Sequence, residues 1–213
     1  MVGMEVITTG NIIDSSGIEH EYKIIHGKDI NYNLLLNKTW KNFELTIFQR
    51  FYKIGMNEVE ILQLLRDLQF HDLHWNWITK YTHYSNDFVY AWFFITIEGT
   101  IQAVSLTMHP KESVFEKDSI FYIEYIAVAP WNRTSDKYKK IYSGLGTLII
   151  KAICKYFSEK LHYRPGFSLS AVPEAIPFYQ KIGMTPVPAF DNEGLCFYEF
   201  EREKVENFLG GVR

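Results

Sequence analysis

Cysteine is scarce in this chain: Cys154 and Cys196 are the only two in 213 residues. Two thiols do not make a disulfide framework, and their settings, a helical stretch and a late strand-like run, predict reduced core residues. A leader-like pattern is also not seen. No basic region followed by an apolar stretch opens it, so no signal peptide is expected. No apolar run approaches the roughly 20 residues that span a bilayer. The expectation is a cytoplasmic protein with no membrane partner. Positive charge is not in surplus either. The formal net charge is −3, and no Lys/Arg stripe with interleaved aromatics occurs, which argues against nucleic acid as a partner. A mildly acidic surface leans instead toward a cationic or amine substrate. Repeats, low-complexity tracts and linker-like composition shifts are absent, so a single domain over residues 1–213 is expected, long enough to bury a sizeable core.

What the chain does have is aromatic residues. They make up 16% of it, with 14 Tyr and 16 Phe, enough that some are expected to line a cleft. Residues 5 to 50 alternate short apolar runs with Gly, Asn and Asp punctuation and read as strands and turns. Asn57 is a candidate N-cap for a helix through Ile61, Leu64, Leu65 and Leu68, reaching toward Leu73. Residues 88 to 97 and 100 to 108 flank Glu98-Gly99, a hairpin signal. Residues 119 to 129 form a third strand. Residues 144 to 163 form a helix with Leu145, Leu148, Ile149, Ala152, Ile153, Tyr156 and Phe157 on one stripe. A strand at 167–172, a helix at 174–182 and two terminal strands near 186–190 and 195–200 complete the order. Pro177 is tolerated near the start of its helix. The class is α+β with a mixed sheet.

Tyr142-Ser143-Gly144-Leu145-Gly146-Thr147 joins the third strand's loop to that long helix. A strand, a Gly-x-Gly turn and a helix N-terminus together cradle a pyrophosphate. First-turn N–H groups point at the anion, and the helix dipole favours negative charge there. Glycine lets the main chain approach the phosphate oxygens. A nucleoside triphosphate loop would need Gly-Lys-Ser/Thr, which does not follow. A dinucleotide site would need a third glycine where Ile149 stands.

With the later block Ala175-Ile176-Pro177-Phe178-Tyr179-Gln180-Lys181-Ile182-Gly183-Met184, the region resembles the acyl-CoA-binding half of GNAT-type N-acetyltransferases. In that family a strand ending in Val-x-Pro precedes an (Arg/Gln)-x-x-Gly-x-(Gly/Ala) loop, and a later helix carries Ala-x-x-x-Tyr-x-x-x-Gly-(Phe/Met). Here Val128-Ala129-Pro130, Gly144-x-Gly146 and Ala175, Tyr179, Gly183 and Met184 take those places. The resemblance implies a GNAT-like, mostly antiparallel sheet flanked by helices, with an acyl-CoA-binding core over residues 86–200. Residues 1–85 become an N-terminal elaboration on the acceptor side. It implies acetyl-CoA as co-substrate, with Ile126, Ala127 and Val128 holding the pantetheine arm. Main-chain N–H groups of Ser143, Gly144, Leu145, Gly146 and Thr147 would hold the diphosphate. Two positions depart from the family: Ile141 stands for Arg/Gln, with Lys139, Lys140 or Arg133 left to supply phosphate charge, and Val172 stands where many members have Asn.

The implied reaction is direct attack of a primary amine on the thioester. Tyr179 would be the acid for the departing thiolate. Glu124, a carboxylate in an otherwise apolar strand, is the candidate base, with Tyr122 and His109 as alternatives. The Val128 N–H would be an oxyanion donor. His71 and His74 lack a third ligand, so no metal is expected. Trp75, Trp77, Tyr81 and Trp92 offer core packing or a face for a cationic acceptor. The competing expectation is a non-catalytic acyl-CoA-binding protein of the same fold, and a third is an interaction module. The acceptor class spans small amines and peptides, and a homodimer is allowed.

Overall fold

A computed structural model of the protein describes residues 3–210. Its strands, numbered in chain order, are β1 Glu5–Ile13, β2 Glu19–His26, β3 Tyr90–Ile97, β4 Thr100–Glu112, β5 Ser119–Val128, β6 Phe167–Ala171, β7 Thr185–Pro186 and β8 Cys196–Glu199. The helices are α1 Ile30–Phe51, α2 Glu58–Asp67, α3 Trp77–Tyr84, α4 Leu145–Leu161, α5 Ile176–Ile182 and α6 Arg202–Gly210. All eight strands join one sheet in the order β1-β2-β3-β4-β5-β6-β8-β7. Every pairing is antiparallel except β5 with β6. The mixed, mostly antiparallel sheet anticipated from the sequence is therefore present.

Both faces of the sheet are covered, which explains why β3 reads as an unbroken apolar run rather than an alternating one. Phe93 and Ile95 face α4, whose Ile149, Ile153 and Phe157 stripe they bury. Trp92 and Phe94 face the other way, with Leu36 and Trp40 of α1 and Trp77 of α3. The β3–β4 hairpin closes through Glu98 (φ 49°) and Gly99 (φ 74°), two left-handed residues as its two-residue turn demands. Asn57 caps α2 as expected, in a reciprocal capping box with Glu60. That helix stops at Asp67, well short of Leu73.

Residues 30–51 correct the strand-and-turn expectation for the N-terminal region: they form the 22-residue helix α1. Asp29 caps it by accepting the Asn31 N–H at 2.8 Å. Its buried stripe is Asn33, Leu36, Trp40, Glu44 and Ile47. Two of those five are polar, while Leu34, Leu35 and Leu45 are exposed, so the helical period is blurred in the sequence. The C-terminus differs as well. The strand expected at 186–190 is a two-residue β7 followed by a 3-10 turn at Pro188–Phe190, and the chain continues into α6.

Candidate active site

The site begins where two strands part. β5 and β6 pair only through Phe121↔Phe167, Tyr122↔Ser168 and Ile123↔Leu169. Beyond that, β6 stays with β8 while β5 runs on along β4 alone. At the fork the Tyr122 hydroxyl donates to Ser170 Oγ at 3.0 Å. The Ala129 N–H donates to the Gln102 carbonyl at 2.8 Å. Alternation along the ladder then turns the polar groups of Ile126 and Val128 away from β4, into the gap. An unpaired strand edge lining a wedge can receive an extended, amide-bearing ligand as an added strand.

The glycine turn closes one end of this wedge. Gly144 is left-handed (φ 79°) and caps α4 without any side-chain hydrogen bond, so the first-turn donors keep no side-chain partner. A Cβ built on Gly144 would meet nothing within 4 Å, and one on Gly146 only Phe178 Cζ at 3.9 Å. The turn thus faces open space, as an anion cradle requires. A cavity of about 300 Å³ gathers Ile126, Ala127, Val128, Ser143, Gly144, Leu145, Gly146, Thr147 and Tyr179. All eight residues expected to contact the cofactor and the expected acid therefore line one space. Lys140 lines it too.

The two other cations considered for phosphate charge are engaged elsewhere. Arg133 holds Asp72 through Nη1 and Nη2 at 2.6 and 2.9 Å and also donates to the Gln69 and Val128 carbonyls. Lys139 donates to the Ser15 carbonyl. Lys140 lines the cleft while its ammonium donates to the Thr134 hydroxyl at 3.4 Å.

Tyr179 projects from α5 and is buried except for 6% of its surface. Burial, reinforced by the neighbouring Tyr122, pushes its phenol well above the usual range. It therefore stays protonated at any ordinary pH. Such a phenol stabilises a thiolate by donating a hydrogen bond. Full transfer to a thiolate, whose conjugate acid titrates near about 8.5, would run uphill.

Glu124 owes its orientation to a β-bulge. Leu106 pairs with Tyr125 and Thr107 with Ile123, leaving Glu124 without a partner on β4. Ile123 and Ile126 consequently both face the α4 core, three residues apart, and Glu124 is directed with Tyr125 toward α3. The spacing Phe121, Ile123, Ile126, Val128 is the sequence trace of that bulge, and a strict two-residue reading of the strand misses it. Burial raises the Glu124 carboxyl above its usual range, opposed by Lys80 and the Tyr84 hydroxyl. Glu124 lines neither cavity described here. Of the alternative bases, Tyr122 sits at the fork. His109 does not join the site: it lies within β4 against Phe157 and Tyr163, on the α4 side.

A second cavity, of about 380 Å³, shares Ile126, Ala127, Val128 and Ala175 with the first and is otherwise walled by Gln69, His71, Asp72, His74, Trp75, Arg133, Val172 and Glu174. Val172 thus lines this second space. The aromatic stretch splits accordingly. Trp77 and Trp92 are core, while Trp75 reaches the second cavity. The residue that sequence reading passed over is Lys80. It lies on α3 with its Nζ 3.2 Å from the Tyr125 ring centroid and 4.7 Å from that of Trp75. A lone lysine in an eight-residue helix carries no sequence signal, and it is the bulge that turns Glu124 to its side of the sheet. Among the described residues, no group of three or more His, Cys, Asp or Glu side chains is placed to hold a metal ion. No helix there is long and apolar enough to cross a membrane.

No family model and no curated protein matches this sequence. Solved structures do. An uncharacterized protein from Bacillus halodurans aligns with a TM-score of 0.56 at 13% identity, over 96% of this chain and 96% of that one. The GNAT domain of PAT from S. lividans aligns with a TM-score of 0.52 at 11% identity, over 90% of this chain and 96% of that one.

Proposed function

The chain has the GNAT fold, and we propose that it is an acyl-CoA-dependent N-acyltransferase that moves an acetyl group from acetyl-CoA to a primary amine. The observation that carries this reading is the convergence of an uncapped helix N-terminus, an unpaired strand edge and a buried phenol on one cavity. Main-chain N–H groups of the Ser143–Thr147 turn would bind the diphosphate, with Lys140 adding positive charge. The edge at Ile126 would align the pantetheine amides as an extra strand, and at Val128, whose carbonyl is taken by Arg133, the N–H would face the acyl oxygen. When bound, acetyl-CoA supplies an activated thioester. Tyr179 would steady the departing sulfur by hydrogen bonding. Glu124 lies behind the cavity wall and is made more basic by burial; it would draw the proton from the attacking amine through an intervening water.

The second cavity meets the first along Ile126–Val128 and is the place this reading gives the acceptor amine. The two free thiols are compatible with a cytoplasmic setting: Cys154 is fully buried and burial pushes it up to about 12. Calorimetric titration with acetyl-CoA, and with a fragment lacking the diphosphate, tests the reading. Micromolar binding that needs the diphosphate is expected, followed by turnover in an amine screen. No binding at millimolar acetyl-CoA would overturn it.

A further inference from the structure

Lys80 stands in an environment unlike that of a surface lysine. Its ammonium rests on the Tyr125 and Trp75 rings and, among the described residues, makes no side-chain hydrogen bond and no ion pair within 4.0 Å. The charged groups that act on it are Glu124, raised beside it by the bulge, and Asp72, itself held by Arg133. One of its walls, Trp75, is also a wall of the second cavity. That cavity shares Ile126, Ala127 and Val128 with the cleft that ends at the glycine turn.

An amine that attacks a thioester must be desolvated, at least partly neutral, and next to a proton acceptor. Two ring faces strip water from the Lys80 ammonium at Tyr125, the residue before the shared wall Ile126–Val128, and Glu124 is a carboxylate whose charge acts on it from beyond ion-pair distance. We propose that Lys80 is itself an acceptor, acetylated in cis when acetyl-CoA occupies the cleft; this rests on the acyltransferase reading above. The Nζ lone pair attacks the thioester carbonyl carbon, so an N–C bond forms and the C–S bond breaks. The amine proton passes through a bridging water to Glu124, and the thiolate accepts a proton from water while hydrogen-bonded to Tyr179. The products are Nε-acetyllysine at position 80 and free CoA, with no redox change. Burial independently favours the reactive form: it lowers the Lys80 ammonium to about 8.

The test is peptide mass spectrometry of the full chain after incubation with acetyl-CoA, at several protein concentrations, beside a calorimetric binding measurement. Lys80 should gain one acetyl group roughly tenfold or more faster than exposed Lys53 and Lys117, at a rate per molecule independent of protein concentration. Acetyl phosphate, which has no diphosphate for the cradle, should show a much weaker preference for Lys80. Glu124→Gln should slow the labelling without changing acetyl-CoA binding. Competitive labelling of the ligand-free protein with acetic anhydride gives a readout that needs no loaded enzyme, and Lys80 should titrate below the other lysines. Binding of acetyl-CoA with Lys80 no more labelled than the exposed lysines would overturn this inference alone. Failure of acetyl-CoA to bind would overturn it together with the function it rests on.

Discussion

Three residues carry separable contributions. Tyr179 is buried and lines the first cavity, so Tyr179→Phe, which keeps the ring, should leave the fold and acetyl-CoA affinity intact. It should lower kcat by roughly 10²-fold, read by steady-state kinetics beside calorimetry; unchanged turnover would remove its role as the thiolate's donor. Gly146→Ala separates stability from binding. Its new Cβ meets only Phe178 at 3.9 Å, so helix propensity should raise stability by up to about 1 kcal/mol. Crowding the cradle should cost one charge-assisted N–H bond, about 1.5 kcal/mol or roughly tenfold in CoA affinity. Opposite movements of Tm and Kd are the expected signature. Lys80 sets a pH dependence. It releases its proton at about 8 in the folded chain against an ordinary 10.5. Between those values the unfolded chain holds more protons, so stability due to Lys80 rises with pH across that window and its penalty is constant below it. The stabilisation of Lys80→Met over wild type should therefore be greatest at and below pH 8 and fade toward pH 10.5, as denaturant midpoints at several pH values would show. That Tyr179 and the residues of the glycine turn share one cavity could be expected from the sequence, because each motif is local in the chain. Lys80 could not, because its significance arises from a contact between α3 and β5.

Elements were legible in proportion to how cleanly their burial follows one period. α4 has a broad apolar stripe over the apolar face of β3, β4 and β5, and the sequence marks it. α2 declares its start through Asn57 and Glu60; Asn57→Ala should cost about 1 kcal/mol by chemical denaturation and leave acetyl-CoA binding unchanged. α1 declares almost nothing. Asn33 and Glu44 sit inside its buried stripe, and Glu44 tolerates this through Lys41, which reaches it at 3.1 Å. Burial still drives the Glu44 carboxyl above its usual range, with Lys41 opposing. Wherever a helix buries polar side chains and exposes leucines, its period in the sequence weakens though its backbone does not. β5 fails a two-residue reading for a different reason: the extra residue at Glu124 shifts the parity of everything after it, and the same extra residue turns the carboxylate toward α3.

For the whole molecule, the part of the chain after β5 is anchored by a buried ion pair. Arg164, between α4 and β6, reaches Glu199 of β8 at 3.4 Å and the Phe200 carbonyl at 3.1 Å. Glu199 also accepts from the Val114 N–H at 3.1 Å and from the Ser113 hydroxyl. Side-chain exposure is 1% for Arg164 and 0% for Glu199. Arg164→Ala would strand a buried carboxylate and should destabilise the protein by about 3–5 kcal/mol, measured by urea unfolding. This network joins residues more than thirty positions apart, so no window of the sequence announces it. The parting of β5 and β6 has a consequence of its own. Three register pairs are all that stitch the two portions of the sheet together directly, so the missing rungs would be supplied by whatever lies in the wedge. Amide hydrogens of Ile126 and Val128 should exchange quickly in the free protein and slow sharply on addition of acetyl-CoA, while those of β3 stay slow throughout. The ligand would then serve as a removable strand, carrying the pairing of β5 past the three rungs it shares with β6.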